Sequence, residues 1–206
     1  MPLGPAELSE LKSGTWRVDP LHTTIGFSVV HLGIARVKGR FNSFSGIIEV
    51  GDALAASSVQ VSIELSSVDT NNAQRDNHLR STDFFGVTEK GALNPDGVLS
   101  KHPWMTFSST AITDSSLAGD LTLNQISKPI ELEYKFNGIA ALPAGEGLRI
   151  DGYQTTRLGF SATGCICRSE FGIDFNAPLG MNDILIGDVV EIDLEVQAVP
   201  SKAFDV

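Results

Sequence analysis

The chain has 206 residues, a net charge of −10 and 42% hydrophobic residues. This length is ordinary for one all-β domain, and the acidic balance excludes the nucleic-acid-binding class, which requires a basic surface. The same charge argues against electrostatic docking on anionic lipid, and no apolar run reaches the ~18 residues that a membrane-spanning helix needs.

Residues 1–13 predict a short helical arm. They contain no basic stretch followed by an apolar core, as a secretory signal would, so we expect a cytoplasmic location. Next, Gly14-Thr15-Trp16 opens the first predicted strand. A Gly-x-Trp opening is typical of lipocalin-type barrels, in which the Trp fills the closed end.

Polar and apolar residues then alternate with the period of half-buried strands. The alternation recurs over 22–31, 35–41, 44–50, 59–65, 103–110, 117–123, 130–136, 148–161 and 190–198. No helix is long enough for a parallel crossover. The sequence therefore predicts a single antiparallel β-barrel of about eight strands, which leaves no exposed edge. Strands of about ten residues, ~33 Å long, would form a tube suited to an extended apolar guest.

The alternation stops between residues 69 and 85. Asn71 or Asn72 can cap a helix over residues 73–80, in which Arg75, His78 and Leu79 share one face. Phe84 and Phe85 follow directly. The segment is either a plain connector or a lid over the barrel, since ordered loops on β scaffolds often carry function.

The histidines and cysteines do not predict a metal site. His22 and His31 are expected on opposite faces of a strand, and no His/Cys/Asp/Glu cluster has ligand spacing. We interpret His22 as structural, and His31 as either a hydrogen-bonded core residue or a head-group contact. Cys165 and Cys167 are expected to be small buried residues that do not form a disulfide.

Several blocks of the sequence resemble a known family. They are WRVDPLHTTIGFSVVHLGIARVKGRFNSFSG, SIELSSVDTNNAQRDNHLRSTDFF, KHPWMTFSST, GDLTLNQISKPIELE, CRSEFGIDF and the closing VEIDLEVQAV. In this order, from about residue 15 to 199, they resemble the bacterial polyisoprenoid-binding family often called YceI-like, a lipocalin-like barrel. The resemblance implies a long barrel that holds a polyisoprenoid or similar amphiphile, such as a prenyl diphosphate or isoprenoid quinone, often as a homodimer. Many relatives carry a secretion signal, and residues 86–101 form a longer loop than is usual in the family.

The candidate ligand-binding residues fall into a polar and an apolar set. The polar candidates for a head group are Arg75, His78 and Arg168, together with His31, because Arg forks and N–H donors suit phosphates and carbonyls. Arg75 can equally form surface helix pairs, and Arg168 a structural salt bridge. The apolar candidates, which can equally be ordinary core residues, are Phe27, Val29, Phe41, Phe44, Leu79, Phe84, Phe107, Phe136 and Phe160.

The sequence thus predicts non-catalytic binding, transport or storage of an isoprenoid amphiphile, in a barrel domain over residues 14–200 with a tail at 201–206. We expect no catalytic residue, metal or cofactor other than the bound lipid, because the usual catalytic motifs are absent. Two alternatives remain. One is a barrel isomerase or cyclase that uses His31 or His78 as general base; the other is an interaction module that binds no ligand.

Overall fold

The computed structural model describes residues 11–87, 102–141, 156–177 and 185–201. These residues form eleven strands and one α-helix: β1 Gly14–Val18, β2 Thr24–His31, β3 Ala35–Phe41, β4 Phe44–Val50, β5 Ser58–Glu64, β6 Val68–Asp69, α1 Ala73–Arg80, β7 Trp104–Ile112, β8 Ser116–Leu123, β9 Ile126–Ala141, β10 Thr156–Cys167 and β11 Ile186–Pro200. Most of the predicted arm, of the 86–101 loop and of the C-terminal tail lies outside the described residues, as does the start of the predicted strand at 148–161.

The strands close into an antiparallel barrel. Eight of them form a ring in the order β1-β4-β5-β7-β8-β9-β10-β11, which the β1–β11 pairing closes, while β2, β3 and β6 extend the sheet beyond β11. One edge of β11 pairs with β1 at Ala198 and with β2 at Leu194, so β1 and β2 follow one another along the same edge. The predicted single barrel with a short helical segment is confirmed.

Predicted and observed strand bounds agree where a local turn sets them. Strands β3 and β4 have the predicted bounds, separated only by Asn42 and Ser43. Strand β10 continues six residues beyond the predicted end at residue 161, because its pairing with β11 persists to Cys167 opposite Val189.

The barrel contains two hydrophobic clusters. The first lies beneath α1 and includes Leu65 and Phe171, both with no solvent exposure. The second surrounds Trp16 and includes Leu158 and Ala198. Trp16 therefore packs at the end of the barrel opposite the helix, as the Gly-x-Trp pattern predicts.

The prediction of buried cysteines was wrong. Cys165 is exposed and Cys167 half-buried, and both are free thiols. They alternate along β10 with Ile166, which faces the interior, so both thiols lie on the outer face. Burial, followed by the nearby carboxylates of Asp188 and Glu170, raises the pKa of Cys167.

The part of the chain that the structure describes contains neither a membrane-spanning helix nor a metal-binding cluster. No helix there is long and apolar enough to cross a membrane. No group of three or more His, Cys, Asp or Glu side chains in the same residues is placed to hold a metal ion.

Candidate ligand cavity

The barrel interior contains a cavity of about 500 Å³. Its wall includes Phe85 and Phe175 at the helix end and Leu11 and Val50 at the other end, so the cavity runs along the barrel. Nearly all of its lining is apolar. Pockets that bind small molecules typically have volumes of about 300–1,000 Å³ and mainly hydrophobic walls.

Most of the candidate residues from the sequence lie on this wall. They are Phe27, Val29, His31, Phe41, Arg75, His78, Leu79, Phe84, Phe107, Phe160 and Arg168. Phe44 and Phe136 are not on it. Phe136 is buried in the cluster around Trp16, against which Phe44 also packs, so these two side chains support the barrel rather than line its cavity.

The position of one aromatic ring in the cavity wall depends on a glycine opposite it. The ring of Phe107 lies against Gly119 of β8, where a Cβ would come within 2.4 Å of its Cζ. Such a distance is far below van der Waals contact, so any side chain at position 119 would push the ring further into the cavity. Gly119 therefore helps to set the width of the cavity.

Residues 70–87, which we call the lid, are held by hydrogen bonds at both ends of α1. Asn72 caps the helix, since its Oδ1 accepts from the N–H of Arg75 at 3.0 Å. Buried Asp76 accepts from the N–H of Thr70 at 2.9 Å and from its hydroxyl at 2.5 Å. Arg80 donates to the carbonyl oxygens of Ser66 at 2.7 Å and Val68 at 2.9 Å. The lid is thus fixed to β6 and to the segment that joins β5 to β6.

Arg75 lies on the cavity wall, and Thr70 holds its guanidinium group. Its Nε donates to the hydroxyl of Thr70 and its Nη2 to the carbonyl of Thr70, both at 2.7 Å. Among the described residues, its Nη1 has no hydrogen-bond partner. The side chain is half-buried on the cavity wall, so Nη1 is a donor available to a ligand.

His78, Phe84 and Phe175 form a group of contacting rings that we call the aromatic seam. The His78 ring meets Phe84 and Phe175 edge-on, with centroids 5.1 and 4.8 Å away, and the two Phe centroids are 5.2 Å apart. His78 Nε2 also lies 2.8 Å from the carboxylate of Asp83. The seam joins the lid to residues 172–175 across the end of the cavity.

Arg168 acts mainly as a backbone clamp. It is 7% exposed and begins the 3-10 helix Arg168–Phe171. It donates to four carbonyl oxygens, those of Ile173 at 2.6 Å, Phe175 at 2.9 Å, Gly187 at 3.0 Å and Ile186 at 3.2 Å. These bonds use four of its five N–H donors. No carboxylate of the described residues lies within salt-bridge distance of it, so the expected structural salt bridge is replaced by carbonyl contacts.

His22, in the link between β1 and β2, and His31, at the end of β2, have different environments. His31 lies on the cavity wall, and within the described residues its ring has no hydrogen-bond partner. His22 is not on that wall; its Nδ1 lies 2.8 Å from the carboxylate of Asp19, which has no solvent exposure and also accepts from Arg157. Burial alone would raise the pKa of Asp19, but the hydrogen bonds from Arg157, His22 and the N–H of Leu21 outweigh it and lower that pKa.

The chain matches a known protein family over most of its length. The profile described as YceI-like domain matches residues 16–198. The chain belongs to the YceI-like family.

Relatives and solved structures agree with this membership. A UPF0312 protein of Staphylococcus aureus is 32% identical over 181 residues, which cover 87% of this chain and 94% of that protein. The YceI protein of Campylobacter jejuni is 30% identical and superposes with a TM-score of 0.61, covering 84% of this chain and 90% of that one.

Two more distant structures show the same fold. BcnA of Burkholderia cenocepacia has a TM-score of 0.66 at 19% identity, covering 88% of this chain and 99% of that one. A polyisoprenoid-binding domain of Saccharophagus degradans has a TM-score of 0.60 at 13% identity, covering 90% and 98%.

Sequence reasoning missed several residues of this YceI-like cavity. Thr70 orients Arg75, and Phe85 and Phe175 close the end of the cavity. Phe85 and Phe175 both belong to sequence blocks that resemble the family, so their membership of those blocks was the available signal. Thr70 lies in the same block as Phe85, but its role could not be derived from the sequence, because that role depends on the contact between β6 and α1.

Proposed function

We propose that this YceI-like protein binds a polyisoprenoid-type amphiphile inside the barrel and carries or stores it without chemical change. The observation that supports this is the cavity of about 500 Å³ with its almost wholly apolar wall. The resemblance of the fold to a polyisoprenoid-binding domain supports the same class of ligand. Burying an apolar chain is worth about 25 cal/mol per Å², which is a sufficient source of affinity for such a guest.

The cavity volume limits how much of the chain is enclosed. At roughly 30 Å³ per water-sized group, a cavity of about 500 Å³ holds about 16 carbon atoms, or roughly three isoprene units. A longer chain would extend through the mouth, which we define as the end beneath the lid. Affinity should therefore rise steeply up to about three or four isoprene units and then level off.

The polar groups at the mouth favour a neutral head group over a diphosphate. Four of the five N–H donors of Arg168 bind backbone carbonyls, and Nε and Nη2 of Arg75 bind Thr70. A diphosphate requires several charge-assisted donors at once. A quinone-type carbonyl needs only one, which Arg75 Nη1 or the His31 ring supplies.

The first test measures dissociation constants for a prenyl quinone and a prenyl diphosphate of equal chain length. We expect the quinone to bind more tightly. Arg75→Ala should weaken it by about 1.5–3 kcal/mol, the range for a hydrogen bond to a charged group. Gln74→Ala is the matched control, because Gln74 lies on the exposed side of the same helix.

Two results would contradict parts of this proposal. If the protein binds neither ligand, although its melting curve shows that it is folded, the proposed function is wrong. If the diphosphate binds more tightly and depends more strongly on Arg75, the class of ligand stands but the head-group assignment is wrong.

A further inference from the structure

The mouth end of the barrel exposes large apolar side chains. In the turn between β2 and β3, Ile34 is 84% exposed and Leu32 is 41% exposed. Trp104, the first residue of β7, is 46% exposed, and Val189 near the start of β11 is 49% exposed. By the antiparallel register these positions all lie at the end of the barrel that the lid covers. We call them the apolar rim.

The turn that carries Leu32 and Ile34 contains a residue that makes it less stable than it could be. Leu32 and Gly33 are the central residues of a tight turn in which the N–H of Ile34 donates to the carbonyl of His31. Both have positive φ, 56° and 69°. Asn-Gly adopts this conformation with little strain, whereas a leucine there is disfavoured. The chain thus keeps a leucine at a solvent-exposed position where asparagine would stabilise the turn.

The turn is continuous with the cavity. His31, which precedes it, lies on the cavity wall, and the N–H of Leu32 donates to the carbonyl of Leu185 at 2.9 Å. Leu185 and Ile186 are also on that wall. A surface that contacts the apolar rim would therefore lie directly against the mouth.

We propose that the apolar rim docks on the surface of a phospholipid bilayer, from which the mouth takes up or delivers its amphiphile. A membrane interface needs only a few inserted side chains and favours Trp, Leu and Ile. A stable dimer needs about 800 Å² from each partner, which is more than these four partly exposed side chains provide. The role of this docking in ligand exchange rests on the proposed function, whereas the docking of the rim on a bilayer does not.

The outer face beside the turn carries both basic and acidic side chains, including Glu191, Asp193 and Glu195, so docking rests on the apolar rim rather than on contacts with lipid phosphates. Three of the chain's 15 Lys and Arg residues are Arg36, Lys38 and Arg40, on the strand that leaves the turn. Arg36 and Arg40 contact Glu191 and Asp69 in exposed pairs, which are weak, and the described residues place no carboxylate within 4.0 Å of Lys38. Charges beyond about 10 Å are screened at physiological salt, so the net charge of −10 does not prevent local docking.

The test is flotation of the full chain with vesicles of phosphatidylcholine, alone and mixed with phosphatidylglycerol. We expect the wild-type protein to float with both. The double variant Leu32→Asn/Ile34→Ser should reduce the bound fraction about tenfold or more, because two large apolar side chains no longer insert. Its melting temperature should be unchanged or higher, since asparagine suits the turn. The control Leu21→Ser removes a leucine that is 65% exposed in the link between β1 and β2, outside the rim, and should float normally.

The outcomes separate docking from ligand binding. Wild-type protein that binds a dispersed prenyl ligand but does not float would overturn the docking proposal and leave the proposed function intact. Wild-type protein that floats but binds no prenyl ligand would support the docking proposal and contradict the proposed function. Equal flotation of the wild-type protein and the double variant would also overturn the proposal. A third contrary result would be that neither protein binds vesicles and that the wild-type protein is a dimer while the double variant is a monomer. That result would identify the rim as a protein interface.

Discussion

Ala162 is the position at which the cavity can be narrowed with little disturbance of the barrel. It lies in the middle of β10, is 8% exposed and forms part of the cavity wall. Its neighbour Thr163 lies on the outer face of the same strand and is exposed. Ala162→Phe therefore places a ring inside the cavity, and Thr163→Phe places the same ring outside it.

The expected loss of binding follows from the volume of that ring. Its six carbons, at roughly 20–30 Å³ each compared with about 30 Å³ for a water molecule, occupy about 120–180 Å³. This is roughly a quarter to a third of the cavity of about 500 Å³, or the space of about one isoprene unit. At about 0.8 kcal/mol per buried CH₂, the ligand should lose about 3–4 kcal/mol, which weakens binding by roughly a hundredfold to a thousandfold.

The assay is titration of each variant with a prenyl quinone, together with urea unfolding to measure stability. Ala162→Phe should bind much more weakly while remaining folded, because the ring fills existing space and avoids most of the cost of overpacking. Thr163→Phe should bind like the wild-type protein. Wild-type affinity in a folded Ala162→Phe variant would refute the proposal that the ligand lies in this cavity.

Three further perturbations test the barrel and its closure. Asp19→Asn should lower the free energy of unfolding at pH 7 by about 3 kcal/mol. Since the pKa of Asp19 is lowered on folding, its contribution is complete above about pH 4 and is lost as the pH falls further. Urea unfolding at several pH values should therefore show a smaller acid dependence in Asp19→Asn but not in the exposed control Asp120→Asn. Phe171→Ala should cost about 3–5 kcal/mol in the same assay, because Phe171 is fully buried. Phe175→Ala should accelerate ligand exchange roughly tenfold in stopped-flow measurements, since it removes two ring contacts of the aromatic seam.

The sequence predicted the elements that local interactions specify. The bounds of α1 follow from the Asn72 cap and from the spacing of Arg75, His78 and Leu79 on one face, all within ten residues of chain. The β3–β4 corner follows from Asn42-Ser43 between two alternating segments. Such features depend on neighbours that the sequence places side by side.

Other features depend on contacts between distant segments and could not be derived in this way. Arg168 could be a ligand contact, a salt bridge or a clamp, and only the folding of residues 173–175 and 186–187 around it decides that its N–H groups bind carbonyls. The cysteines face outward because the β10 register continues past residue 161. Small residues at positions 162 and 164 weaken the alternation there, so the pattern alone does not assign Cys165 and Cys167 to the outer face.

The contacts that close the mouth differ in strength, and the difference indicates where a ligand passes. Arg80 and Arg168 hold the two sides with hydrogen bonds from a charged group to carbonyls, each worth about 1.5–3 kcal/mol. Across the aromatic seam the rings interact at about 0.5–1.5 kcal/mol per pair, supported by Asn124, which donates to Phe84 at 3.5 Å and to Phe171 at 3.2 Å. Separating the seam breaks the ring contacts of Phe175 with His78 and Phe84 and exposes part of these side chains, while displacing either arginine breaks several charge-assisted hydrogen bonds. Opening should begin between the lid and residues 172–175, with both arginine clamps intact.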